Sequence, residues 1–245
     1  MKLRTLFSSP IKKTSLTLAA LPFVAAMSAS NVMAEVIDVK VTNLTQGMYY
    51  TPLLITAHAD TTDFFEIGDS ASAEIQAMAE GGDISGLVTL ADNAGAVSSE
   101  NPASGVLAPA ASTSVTDMAT GANDRLTIVA MLLPTNDAFV ALDSWKIPET
   151  AGTYTLYLNA YDAGTEANDE LVTGGGASGV AGIPANPGAN GGTNGTGVTT
   201  TESNQMIHIH RGNIGDTDTD GGISDVDSRI HRWLNPVEKV TVNVK

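Results

Sequence analysis

The chain has 245 residues, with 27 Asp and Glu against 12 Lys and Arg for a net charge of −15, and it contains no cysteine. So acidic a surface repels phosphate backbones and anionic lipid, which argues against nucleic-acid binding and simple electrostatic attachment to membranes, and it suits divalent cations. Without cysteine there is no thiol catalysis, no Cys-ligated metal and no disulfide, so stability must come from the core and from any bound metal.

The first 34 residues read as a secretory signal. Lys2, Arg4, Lys12 and Lys13 form a positive start, the apolar run Leu16 to Met27 follows with only Thr17 and Pro22 interrupting, and Val32-Met33-Ala34 supplies small residues for cleavage before Glu35. The run is roughly a dozen residues and a spanning helix needs about 20, which favours a cleaved signal over an uncleaved anchor. No later stretch is apolar enough to span, so the expected location is the periplasm, the cell surface or the medium. Four of the 12 basic residues lie in this segment, which leaves 8 against 27 acids, or −19, over residues 35–245. That length suits one large domain.

Along residues 35–245 strand signals dominate. In Val36 to Thr42, Ile37, Val39 and Val41 fall on one face. Leu53 to Ala57 and Leu126 to Leu133 are continuous apolar runs, expected as central strands buried on both faces. Ser70 to Glu80 has helical spacing, with Asp69 or Ser70 as cap and Gly81-Gly82 as stop. Residues 92–123, rich in Ala, Ser, Asp and Asn, read as irregular. Tyr154 to Ala160 alternates, with Tyr154, Leu156 and Leu158 inward, and Lys239 to Val244 alternates again at the end. Residues 174–197 hold 10 of the 24 glycines, with Pro184 and Pro187, and read as a flexible surface loop or lid. This segment lacks the Lys and following helix of a phosphate loop. Met206 to His210 is a shorter strand. The expected fold is all-β, an antiparallel sandwich with one short helix and long loops, whose first and last strands are neighbours.

Carboxylates concentrate just beyond two of these strands. Pro134-Thr135-Asn136-Asp137 opens a segment running to Asp143, and Tyr161-Asp162-Ala163-Gly164-Thr165-Glu166 opens another running to Glu170. If the two strands end at one rim, Asp137, Asp162 and Glu166 converge. Carboxylates at close range repel unless a hard cation holds them, and calcium accepts six to eight oxygens in irregular geometry. The alternative is that Asp and Asn merely cap turns.

These same segments, Met131 to Asp143 and Tyr161 to Glu166, resemble the two hallmark segments of the spondin N-terminal domain family. Val41-Thr42-Asn43-Leu44-Thr45, Thr51-Pro52-Leu53, Ala57-His58, Gly68 to Ser72, Met78 to Asp83 and Trp233 to Val237 follow in the expected order. The resemblance implies an eight-stranded antiparallel sandwich with calcium held in loops at one end, and it places Asp137, Asp162 and Glu166 at the calcium carboxylates. Animal relatives are matrix and adhesion proteins. This chain departs from them in lacking cysteines and thrombospondin repeats and in carrying the glycine-rich insertion, so their partners do not transfer.

Asp216-Thr217-Asp218-Thr219-Asp220-Gly221-Gly222-Ile223-Ser224-Asp225-Val226-Asp227 fits an EF-hand-type calcium loop. Asp216, Asp218 and Asp220 stand at positions 1, 3 and 5, Gly221 at the turn and Asp227 at position 12. Ser228 to Trp233 is the candidate exiting helix, while no helix pattern precedes the loop. The rival reading is a solvated acidic loop. His208 and His210 share one strand face, as a zinc or copper pair would, but no third ligand is evident.

There is no nucleophile elbow, zinc-protease helix or phosphate loop. The sequence therefore favours a calcium-dependent adhesion or matrix-type binding module with an unidentified protein or glycan partner. The alternative is a secreted glycoside or ester hydrolase using the loop carboxylates. Aromatic residues at 5% are sparse for a carbohydrate-stacking cleft.

Overall fold

The computed structural model describes residues 35–245; the signal expected over 1–34 lies outside the described residues. In chain order the elements are β1 (Val36–Asn43), β2 (Tyr49–Tyr50), β3 (Leu54–His58), α1 (Ala73–Gly81), α2 (Ser85–Asn93), β4 (Val97–Glu100), β5 (Ser112–Ala119), β6 (Arg125–Leu133), β7 (Ala138–Lys146), β8 (Gly152–Leu158), β9 (Ala160–Asp162), β10 (His208–Ile209) and β11 (Glu238–Val244). Among the described residues no helix is long and apolar enough to cross a membrane.

Period-two alternation builds the first sheet, ordered β5-β1-β11-β8. The terminal strands pair along their whole length, from Ile37↔Val244 to Asn43↔Glu238, as expected of neighbouring first and last strands. Ile37, Val39 and Val41 of β1 and Val240, Val242 and Val244 of β11 point into the core, while the intervening residues face outward.

The continuous apolar runs build the second sheet, ordered β10-β9-β7-β6-β3-β4 with β2 beside β6. β3 is buried throughout and β6 from its second residue, because both faces of this sheet are covered. Ile55, Ile128, Ala130, Leu132 and Val140 face the first sheet. Leu54, Val129, Met131 and Phe139 face Ile75, Met78 and Leu87 of the helices. The result is the expected all-β sandwich with a helical layer on one outer face. Among the described residues its strands number eleven rather than eight, several being two or three residues long.

The expected helix begins at Ala73, since Ser72 is the cap, its hydroxyl accepting from Ile75 N at 3.2 Å; Gly82, at φ 71°, ends it. α2 escaped the sequence reading because it has no side-chain cap and contains Gly, Val and Thr. The stretch 92–123 is not irregular: it contains β4 and β5, edge strands whose Ser and Thr residues give no apolar alternation. The loop expected over 134–143 ends at Asp137, since β7 begins at Ala138. Ser228 to Trp233 forms turns, not an exiting helix.

Candidate functional site

β6 turns into β7 through Pro134–Asp137, and β9 ends on Asp162. Because β7 pairs with β9 in the register Ala138↔Asp162, the two loops share one rim of the second sheet. Asp137 is fully buried. Its Oδ2 accepts from Thr165 N at 2.8 Å, Thr165 Oγ1 at 3.2 Å and Glu166 N at 3.1 Å, so the turn 164–166 folds directly over it. Gly164 permits that turn: φ is +69° and an added Cβ would lie 2.7 Å from Asn204 O.

Glu166 is buried beside it. Its Oε2 accepts from Asn136 Nδ2 at 3.2 Å and Gly182 N at 3.0 Å. The second oxygen of each acid, Asp137 Oδ1 and Glu166 Oε1, is buried and lacks any hydrogen-bond partner among the described residues. Burial, and then the nearby Asp162 charge, hold the Asp137 carboxyl well above the usual carboxylate range. Burial first, then the charges of Glu80 and Asp169, push Glu166 up to about 7 against the hydrogen bonds from Gly182 and Asn136. Unpaired buried carboxylate oxygens are costly unless protonated or held by a cation.

Asp162, the third expected ligand, is placed differently. Its Oδ1 accepts from Gly164 N at 2.9 Å and its Oδ2 from Asn168 Nδ2 at 2.7 Å. His208 Nε2 and His210 Nε2 stand 3.9 and 3.7 Å from the same Oδ2, so the two imidazoles do share a face. His210 Nδ1 accepts from Gly212 N–H, so the ring proton sits on Nε2, bonded to Asn168 Oδ1 at 3.1 Å. Burial keeps His210 neutral, with its pKa well below the ordinary value.

Among the described residues no three His, Asp or Glu side chains stand close enough to share one ion. Asp137 and Glu166 each keep one hard carboxylate oxygen without a donor, the kind of ligand that calcium takes. Backbone or amide oxygens and water would complete the shell.

The acidic loop lies apart from this pair. Asp216 Oδ2 accepts from Ile223 N at 2.7 Å and Ser224 N at 3.0 Å, and Asp216 Oδ1 accepts from Asp218 N. Asp218 Oδ1 takes Asp220 N, and Asp220 Oδ1 takes Asn194 Nδ2. Asp227 is engaged by the Arg229 guanidinium through both oxygens. Residues 216–227 thus form a loop closed by its own backbone and by Arg229, without EF-hand helices.

Asn136 is the organising residue the sequence reading passed over. Besides Glu166 it donates to Asp169 Oδ1 at 2.8 Å and accepts from Glu170 N at 3.1 Å. Glu170, buried, accepts from Ile214 N, Gly215 N and Ser224 Oγ and so ties the later loops to the rim. Asn136 was signalled only by its position in a hallmark segment and Glu170 only as the end of the carboxylate-rich segment after Ala160; nothing in sequence signalled Gly182.

The glycine-rich segment is no free flap either. An added Cβ on Gly174 would lie 1.8 Å from Gly182 O, and one on Gly81 would lie 2.0 Å from Gly176 O. The glycines let backbone pack on backbone, and Ile183 is fully buried.

The Spondin_N family model matches residues 42–171, more than half of the chain. No curated protein matches it. Beyond the matched part, β11 still completes the sandwich by pairing with β1 and β8. On this match, the chain belongs to the Spondin_N family.

Proposed function

We propose that this protein is an exported, calcium-dependent binding module, with the cation held between Asp137 and Glu166 beside the charge of Asp162. The observation that carries the reading is the pair of buried carboxylate oxygens without a donor, Asp137 Oδ1 and Glu166 Oε1, in adjoining loops at one rim. Calcium neutralises the pair and fixes the rim, which presents a surface to a protein or glycan outside the cytoplasm. The resemblance of Met131 to Asp143 and Tyr161 to Glu166 to the family's calcium segments supports the same residues. The signal pattern over 1–34 supports export, to the periplasm or beyond.

The test is thermal unfolding of residues 35–245 in EDTA, in calcium and in magnesium. Ligand at about 100 times its dissociation constant stabilises by roughly 2.7 kcal/mol, and a domain of this size shifts by about 2–4 °C per kcal/mol. A calcium-specific rise of roughly 5–11 °C is expected. Asp137→Asn should abolish that rise while leaving the EDTA-treated protein as stable as before or more so, since the amide oxygen can keep the hydrogen bonds of Oδ2 and no buried ionisable oxygen remains at that position. If calcium produces no shift and calorimetry detects no binding, the cation leaves the mechanism.

A further inference from the structure

Sheet edges present unpaired N–H and C=O groups, and proteins generally blunt them with charge, proline, bulges or short strands. Three of the four edges here follow that rule. β5 carries a register shift opposite Ile37/Val39, and its Asp117, at φ 57°, is ion-paired to Lys245. β10 is two residues long, and β4 has four and ends on Glu100.

β8 breaks the rule. Its seven residues, Gly152-Thr153-Tyr154-Thr155-Leu156-Tyr157-Leu158, include no charge and no proline. Its register with β11 runs without a bulge from Gly152↔Val244 to Leu158↔Glu238. No strand pairs with its other side, and among the described residues no backbone hydrogen bond reaches Gly152 to Tyr157 except from β11. Thr153, Thr155 and Tyr157 are exposed, the tyrosine by 60%. Tyr154 and Leu156 lie half-buried at the margin of the core.

We propose that β8 is a docking edge at which two copies of this chain pair antiparallel about Thr155, merging their four-stranded sheets into one of eight. The strand is complementary to itself in that register. Thr155 meets Thr155, Thr153 meets Tyr157 on the outer face, and Tyr154 meets Leu156 on the inner face. These are β-branched–aromatic and aromatic–aliphatic pairs of the kind that stabilise cross-strand contacts, with no like charges opposed.

Charge points to a second copy as well. Over residues 35–245 the chain carries −19, so most surfaces of two copies repel. The outer face of the β8 sheet is the exception. β11 and β1 contribute Lys239 and Lys40 there. Its one carboxylate on those strands, Asp38, is bonded to Lys245 Nζ at 2.7 Å.

The experiment is analytical ultracentrifugation of the full chain, in whatever N-terminal form its host leaves it, from micromolar to near-millimolar concentration. The wild type should pass from monomer to dimer, and added salt should tighten the dimer by screening the net charge. Thr155→Lys and Thr155→Glu, at an exposed position, should each stay monomeric with unchanged unfolding curves, and an equimolar mixture of the two should recover the dimer. Ser114→Lys, on the blunted β5 edge, should dimerise like wild type. A wild type that stays monomeric throughout overturns the proposal, as it would if the true occupant were an extended segment of another protein. So does a Thr155→Lys variant that dimerises unaided.

Discussion

Glu166 donates its backbone N–H to Asp137 Oδ2 at 3.1 Å, yet the two carboxylates each keep one buried oxygen that receives no hydrogen bond. The backbone thus buries two acids in adjoining loops, each with one oxygen left unsatisfied. Protons or a cation can satisfy those oxygens, and the two compete.

The competition has a sign. Glu166 is raised from 4.5 to about 7, and Asp137 is raised as well. A carboxyl whose folded pKa is raised contributes stability that is complete below its ordinary value and lost as pH climbs through the raised one. Without cation, Glu166 should therefore weaken the fold between about pH 4.5 and 7, with Asp137 adding a loss of the same sign. Calcium reverses the trend, because it binds the ionised forms and must displace their protons. Apparent affinity should rise about tenfold per pH unit for each proton displaced, levelling off above the raised pKa values. Melting with and without calcium from acid to neutral pH measures it. An equal calcium shift at both ends would rule out protons on these carboxylates as competitors.

Asn136 is the keystone of the same rim, with buried hydrogen bonds to Glu166 and Glu170 and a half-buried one to Asp169. Asn136→Ala leaves two carboxylate oxygens short of a donor and one buried N–H without an acceptor. The expected cost is about 2–4 kcal/mol, well above a surface substitution, and it should appear in urea unfolding in the absence of calcium. A loss under about 0.5 kcal/mol would mean that water replaces the amide freely.

Much of this fold was legible in the sequence, and the reasons lie with individual residues. Ile37, Val39 and Val41 alternate because one face of β1 is wet, while Leu126 to Leu133 does not alternate because helices cover the far side of β6. β5 escaped because its Ser and Thr residues sit at an exposed edge, where packing imposes no apolar pattern. Of the expected site, the loops that carry Asp137 and Glu166 meet as the spacing suggests, the Glu166 backbone N–H reaching Asp137 Oδ2 beside the β7–β9 register. The Asp162 carboxylate bonds Gly164 and Asn168 within its own loop while its charge still acts on Asp137, and the two histidines come to it from far along the chain. The packing of the glycine-rich segment was illegible for a related reason. Composition reports flexibility of the free chain and is silent about which backbone it approaches.

That packing has a test in which the direction of the effect decides. Gly81 ends α1, where Ala is ordinarily favoured over Gly by roughly 0.5–1 kcal/mol. Here a Cβ would lie 2.0 Å from Gly176 O, a backbone atom that cannot swing aside. Gly81→Ala should therefore destabilise, and it should lift the segment that donates Gly179 N–H to Glu80 and Gly182 N–H to Glu166. Limited proteolysis should show faster cleavage within 174–197. A stabilised variant with unchanged cleavage would mean the segment does not rest on the helix.

Glu238 poses a separate problem in the middle of the core. It begins β11, it is fully buried, and neither of its oxygens has a hydrogen-bond partner among the described residues. The nearby Tyr50 hydroxyl donates elsewhere, to Val237 O at 2.7 Å. Burial alone pushes the Glu238 carboxyl up to about 8, so at neutral pH it is mainly a neutral acid. Its contribution to stability is complete below the ordinary value of 4.5 and falls as pH rises through about 8, where folding must bury a charge. Glu238→Gln keeps the shape and cannot ionise. Urea unfolding across that range should show wild type losing on the order of a few kcal/mol more than the variant. Matching slopes would mean that Glu238 ionises without strain, with water reaching it through an opening of the β8–β11 edge.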